Sequence, residues 1–401
     1  MLSWLDFKHS WHSIPMLARV VLITTLFVMM QDNISIFGFS ATAIGWLVPL
    51  SFSVWQIAFG KEKIKFPWLL WVPWIALTFG YLVISTASDA FQRTVMLLCP
   101  IATGMAVSMV RVGWVELAAF LNVCRYAALV IIALVLLKSG LLLTGQLPSS
   151  TGLAADVMTA ALLSSVFAST YVGGYRMSLY WWISLAFVPF VAMTRTVMVV
   201  SALTLPSTLA PLGIVKRVII LLIMSSIGLA VFHTQRVQDK MFFSGQGTLS
   251  DISFDNPDFK TTGRVTILHV LEEEVSREPW FGHGANASES LVEKIAGGLT
   301  HPHNDWLRFE YDYGYFGTSV FAFCLLLQTV HAWWQARRSS GVARVLLYAG
   351  ASSFISMALI MTTDNIVLYA AFFGNLQFAI LGLAYAALKV GQARVKVEVL
   401  A

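Results

Sequence analysis

The sequence predicts an all-α integral membrane protein of about twelve transmembrane helices, with one large water-exposed loop ahead of the last three. Three observations carry this reading: composition, the recurrence of long apolar runs, and the side on which positive charge falls. Of 401 residues, 57% are hydrophobic and 12% charged, whereas a soluble domain carries about a quarter charged residues. The 14 Trp and 27 Phe suit bilayer interiors and the headgroup level.

Apolar runs of spanning length, about 20 residues, begin near Pro15, Ile34, Pro67, Phe91 and Gly113. After a small-residue connector from Lys138 to Gly152 they resume near Ala155, Ser178, Val197 and Gly213. Three more follow near Trp306, Val342 and Asn365. The run from Val197 to Ala210 is short for a span, and no internal repeat is visible. The chain thus divides into transmembrane helices 1–9 over residues 1–233, a loop with short helices over 234–304, and helices 10–12 over 305–401. The first fifteen residues are too polar for a cleavable signal, so the first helix is expected to be retained.

Charge orients these spans. Lys8, Arg19, Lys61, Lys63, Lys65, Arg111, Arg176, Lys216, Arg217, Arg337, Arg338, Arg344, Lys389, Arg394 and Lys396 fall on the side of the termini, and only Arg93, Lys138 and Arg195 occupy short connectors opposite. Cytoplasmic loops retain Lys and Arg, so both termini are expected in the cytoplasm and the loop outside. The same asymmetry absorbs the net charge of +5 without invoking nucleic acid. Cys99, Cys124 and Cys324 all lie in apolar runs, which leaves no disulfide framework in the loop.

The loop alone has the composition of soluble protein, with eight acidic residues from Asp239 to Glu278. Thr261-Thr262-Gly263-Arg264 precedes Val265, Leu268, Leu271 and Val275, the pattern of a capped amphipathic helix with Glu272, Glu273 and Glu274 beside it. Arg264 falls in its first turn. A cation is unfavourable there unless an anion joins it, and with the free helical amides it can hold a phosphate; the plain alternative is a solvated arginine.

The densest polar cluster runs from His301 to Gly317, HPHNDWLRFEYDYGYFG, at a membrane boundary. A helix capped at Asn304 or Asp305 places His303 at the outer mouth of the bundle, where an imidazole takes a proton from a hydroxyl at neutral pH. Gly314 and Gly317, three apart on one helix face, allow close packing against a neighbour. They are expected to shape the site rather than act in it.

His303-Asn304, nine residues, Gly314, two residues, Gly317 resembles the His-Asn/Ser/Gln signature of the bacterial O-antigen ligase and polymerase superfamily. The likeness extends to architecture, since these proteins have about twelve helices and a large periplasmic loop before the motif. It implies a C-class glycosyltransferase fold working on a lipid-linked donor with no metal and no cofactor. It also implies an arginine that binds the donor pyrophosphate at the position of Arg195, in Met193-Thr194-Arg195-Thr196, with Arg264 as its partner. A guanidinium forks onto phosphate oxygens. The plain alternative for Arg195 is a headgroup-anchoring side chain.

The implied reaction moves glycan from undecaprenyl pyrophosphate to a sugar hydroxyl of lipid A-core at the periplasmic face of a bacterial inner membrane. Arg195 and Arg264 hold pyrophosphate, His303 acts as base, and His301, Asn304, Gly314 and Gly317 support the site. Extension of the carrier-linked glycan by a polymerase needs the same donor site, and transfer to a protein hydroxyl is a third possibility. A transporter or flippase would place binding groups near the midplane in repeated halves.

Other signals carry less. His301 and His303 are conceivable as a zinc pair, but His233, His269 and His283 match no familiar ligand spacing, and Asp251, Asp255 and Asp258 form no calcium loop. His283, between two glycines, reads as a turn residue. Arg125, mid-span in the fifth helix, is costly without a partner, for which Asp156 is the nearest candidate in sequence. Asp364-Asn365 reads as the turn between the last two helices. The glycosylation-like triplets at Asn33 and Asn286 carry no weight.

Overall fold

A computed structural model describes residues 4–30, 35–36, 38–146, 152–253, 255–261, 264–296 and 301–388. The chain is helical: α1 (Trp4–Ser13), α2 (Met16–Met30), α3 (Ala41–Phe59), α4 (Val72–Ile84), α5 (Ala90–Ser108), α6 (Trp114–Leu143), α7 (Ala154–Val172), α8 (Ser178–Ala192), α9 (Arg195–Leu203), α10 (Ile214–Phe232), α11 (Gln235–Met241), α12 (Arg264–Arg277), α13 (Ala287–Ile295), α14 (Asp305–Arg337), α15 (Gly341–Ile360) and α16 (Asn375–Ala386). A two-residue hairpin, β1 (Ser35–Ile36) against β2 (Phe39–Ser40), links α2 to α3.

Helical segments stand near most of the expected starts, but at Ile34 the hairpin precedes α3 and at Asn365 irregular turns precede α16, and the helices differ in reach. Among the described residues, α3, α5, α6, α7, α10, α14 and α15 are long and apolar enough to cross a bilayer, while α2, Trp68–Ile84, α8 and Ala370–Ala386 are shorter apolar segments. The run at Val197 yields only α9, nine residues, or about 14 Å at 1.5 Å per residue. The last segment is irregular: a 3-10 turn (Ile366–Leu368) and a π turn (Ala370–Gly374) precede α16. The notable addition is α1, which packs on α6 through Phe7 against Tyr126 and a 2.9 Å hydrogen bond from Asn122 to Ser10.

Burial separates the inside of the bundle from its rim. In α7 every side chain from Ala155 to Thr170 is buried, so this helix runs through the centre. In α10 only Phe232 is buried, and Ile214, Val215 and Leu222 are each more than 60% exposed. A 19-residue apolar helix with so little protein contact is stable only with hydrocarbon around it.

The connection from α10 to α14 packs as a small layer on one end of the bundle. Its core joins Ile267, Leu271 and Val275 of α12 to Val292 of α13 and to Leu307 and Tyr311 of α14. The buried stripe of α12 is therefore Ile267, Leu271 and Val275, with the expected Val265 and Leu268 only half-buried at its flanks. The helix turns that way because its partner is α14 rather than solvent. The expected cap residues Thr262 and Gly263 lie outside the described residues, as do Asn33, Lys389, Arg394 and Lys396.

Gly314 and Gly317 are not the neighbours on one regular helix face that their spacing predicts. Gly314 has φ +67 and ψ 179 and breaks α14 in two. The break leaves the carbonyls of Tyr311 and Asp312 free to accept the N–H groups of His283 and Gly284, each at 2.9 Å. On its other side the N–H of Tyr315 donates to the Pro279 carbonyl at 2.7 Å. A Cβ at Gly314 would stand 2.3 Å from the Trp280 backbone, so only glycine fits both the conformation and the approach. His283, in a turn as expected, stacks on the Tyr311 ring with centroids 4.1 Å apart.

Candidate active site

His303 leads into α14, whose N-cap is Asn304: its Oδ1 accepts the Leu307 N–H at 3.1 Å. The next residue, Asp305, is buried, donates its N–H to the Met361 carbonyl and accepts the Val367 N–H on Oδ2, both at 2.8 Å. Start of helix and turn 361–367 are thus laced together. His303 itself has φ +54, an uncommon conformation for a residue with a Cβ. Its N–H donates to Asn365 Oδ1 at 3.1 Å, which holds that backbone in place.

The His303 ring faces the same turn. Its Nδ1 lies 3.6 Å from Asp364 Oδ1 and 3.4 Å from Asn365 Nδ2, and the side chain retains 24% exposure. Asp364 Oδ1 also accepts the Asn365 N–H at 2.8 Å and the Tyr369 hydroxyl at 3.0 Å. Burial opposes ionisation of Asp364, but the His303 ring, the Asn365 amide and the Tyr369 hydroxyl outweigh it and hold the carboxyl below its ordinary range. A carboxylate behind one ring nitrogen stabilises the imidazolium that forms when the other takes a proton.

The two arginines reach the same region from other elements. Arg195, first residue of α9, donates two guanidinium N–H bonds to the Lys260 carbonyl, at 3.3 and 3.2 Å, and lies over the Phe259 ring at 5.5 Å. Its neighbour Thr196 shares a 2.6 Å hydroxyl contact with Thr363. Arg264, first residue of α12, donates to the Thr363 carbonyl at 3.4 Å. Each guanidinium thus meets a backbone carbonyl, and the two are near enough for their charges to interact. Lys240 of α11 adds a third cation: burial first, then the charges of Arg195 and Arg236, push it below the ordinary lysine range.

Beside these cations runs an apolar groove of about 350 Å³ between α9 and α10. Its walls include Met198, Leu203, Leu221, Met224 and Val231, and Arg195 and Lys240 also line it. An apolar trough with cations beside it fits a lipid whose head carries phosphate.

His301 takes a different direction from His303. Its Nδ1 lies 2.9 Å from Glu289 of α13, and Glu289 also pairs with Arg93 of α5 at 2.9 Å. Burial would raise the Glu289 carboxyl, but the His301 ring and the charges of Arg308 and Arg93 hold it down at about 2. Arg308, fully buried, lies 3.4 Å from Asp305 and 3.6 Å from Asp312, whose Oδ1 accepts the Ser288 N–H at 2.7 Å. This network fixes α13 against α5 and α14, two residues from His303. The divergent partners of His301 and His303 do not form the conceivable zinc pair.

The sequence-predicted residues therefore fall in different places. Arg195, Arg264, His303 and Asn304 surround the turn 361–365, His301 and Gly314 belong to the docking of the loop layer, and Gly317 faces Leu77 of α4. Asp364 was legible only as a turn residue; it is in a turn and also faces His303. Lys240 and Glu289 gave no signal, because their roles depend on Arg195 and on Arg93, which only folding brings beside them. Asp156 is not the partner of Arg125: it accepts Lys138 Nζ at 2.6 Å, because both stand at the same end of the bundle while Arg125 lies farther down α6.

Residues 179–322 match a family model described as O-antigen ligase. No curated protein matches the chain. The matched stretch begins in α8, covers α9 to α13 and ends within α14, so it contains Arg195, Arg264 and His303. With the His303-to-Gly317 motif inside it, the match supports placing this membrane protein in the O-antigen ligase and polymerase superfamily.

Proposed function

We propose that the protein is an O-antigen ligase of a bacterial inner membrane, with both termini cytoplasmic and the site at the periplasmic face. It moves glycan from undecaprenyl pyrophosphate to a sugar hydroxyl of lipid A-core, with inversion and with neither metal nor cofactor. One observation carries this reading: a histidine–carboxylate pair and two arginines gather around one turn, beside an apolar groove. The first pair suits removal of a hydroxyl proton, the arginines suit a pyrophosphate, and the groove suits a polyprenyl chain.

In this mechanism the donor pyrophosphate is held by Arg195 and Arg264, with Lys240 nearby. His303 removes the acceptor hydroxyl proton while Asp364 stabilises the resulting imidazolium. The acceptor oxygen forms its bond to the anomeric carbon as the bond from that carbon to the pyrophosphate oxygen breaks. The electron pair leaves with undecaprenyl pyrophosphate, and the arginines stabilise the charge that develops there.

The test is an assay of purified protein with a polyprenyl-pyrophosphate-linked glycan. One tube contains lipid A-core and the other only more lipid-linked glycan. Glycan on lipid A-core is the expected product. Lengthened carrier-linked chains would instead identify a polymerase, and no product in either tube from folded protein would overturn the glycan-transfer reading.

A further inference from the structure

The end of the bundle opposite to His303 holds a second cation-lined cavity that the transfer site does not use. It is about 190 Å³ in volume and lies among α6, α7, α8 and α15. Trp114, Ala118, Leu121 and Arg125 line it from one face of α6, and Thr170, Tyr175 and Ser178 supply polar atoms opposite. Arg125 stands eleven residues into α6, about 16 Å along its axis, and its side chain is directed back toward the helix start. Its Nε is buried with no hydrogen-bond partner among the described residues. Among the described residues, no acidic side chain lines the cavity.

The contrast with Lys138 of the same helix shows what is missing. Lys138 Nζ meets Asp156 at 2.6 Å and the carbonyls of Met29 and Gly152 at 2.6 and 3.0 Å. A cation inside an apolar bundle is costly unless paired in this way, and among the described residues Arg125 has no such carboxylate. A neighbouring cavity of about 350 Å³ shares Tyr175 and is lined by Arg344 and by Gly173 and Gly174. Trp114 and Tyr175 are each more than a third exposed at the rim, as expected of aromatic side chains at headgroup level.

We infer that this cavity binds the phosphate of an anionic phospholipid in the leaflet opposite to His303, with Arg125 as its charged contact. The apolar walls at Ala118, Leu121 and Val342 favour a lipid over a free ion. The lack of an acid disfavours a zwitterionic headgroup, whose cationic end would have no partner. The site is separate from the transfer site, and its occupancy does not depend on the acceptor chosen there.

The experiment is native mass spectrometry of the full-length protein in detergent, titrated with phosphatidylglycerol or phosphatidylcholine. Wild type is expected to retain one phosphatidylglycerol about tenfold more tightly, the size of one charge-assisted contact. Arg125→Gln is expected to abolish that preference, whereas Lys61→Gln, an exposed lysine at the same end, preserves it. An unchanged preference in Arg125→Gln would overturn the inference. So would displacement of the lipid by millimolar inorganic phosphate, which would indicate a free-anion site. If Arg125→Gln fails to fold, wild type decides alone: equal retention of the two lipids overturns the inference.

Discussion

Nδ1 of His303 lies 3.6 Å from the Asp364 carboxylate, across 61 residues of sequence and two helices. The contact joins the start of α14 to the turn that follows α15, and Asn365 reinforces it by accepting the His303 N–H. A histidine held at positive φ with a carboxylate behind its ring is oriented before any substrate arrives.

Asp364→Asn keeps the shape of that carboxylate and removes its charge. Transfer is expected to lose roughly 10- to 100-fold in kcat, with little change in donor KM. A kcat within a few-fold of wild type would reduce Asp364 to a turn residue.

Arg195→Lys and Arg264→Lys retain charge but lose the planar fork that grips phosphate oxygens. Each is expected to weaken donor binding by about tenfold, and alanine by somewhat more, at a contact worth ~1.5–3 kcal/mol. Binding of a non-transferable polyprenyl-pyrophosphate glycan, followed by fluorescence or scintillation proximity, reads this directly.

Gly314→Ala should destabilise the docked loop layer by roughly 2–4 kcal/mol, because its Cβ meets the Trp280 backbone and its φ is left-handed. Limited proteolysis should then cut residues 279–284 faster than in wild type. The helices of the bundle should remain resistant.

Glu289 is held at about 2, against an ordinary value of 4.5. Its folded-state value is depressed, so its contribution to stability is complete above about pH 4.5 and is lost as pH falls toward 2. Thermal unfolding in detergent should show this loss across that window, and Glu289→Gln should flatten it. His301→Ala should weaken the same dependence.

Membrane character and the order of the helices were legible because apolar runs and charge placement are local properties of sequence. The start of α14 was legible too, since Asn304 caps through its own side chain. What was not legible depended on distant partners. The run at Val197 looked like a short span, yet it closes after nine residues. Gly314 reads as a packing glycine in sequence, whereas it is the close approach of the Trp280 backbone that requires it. Asp364 reads as an ordinary turn residue because nothing near it in sequence names His303. Arg195 and Arg264 stood out individually, but only folding places Thr196 and Arg264 on the same residue, Thr363.

The central measurement is the transfer rate of His303→Ala, purified and shown to be folded, with lipid-linked glycan and lipid A-core at saturation. Loss of at least roughly 100-fold with donor binding intact is the predicted result for removal of a general base. A rate within a few-fold of wild type would contradict the role of His303.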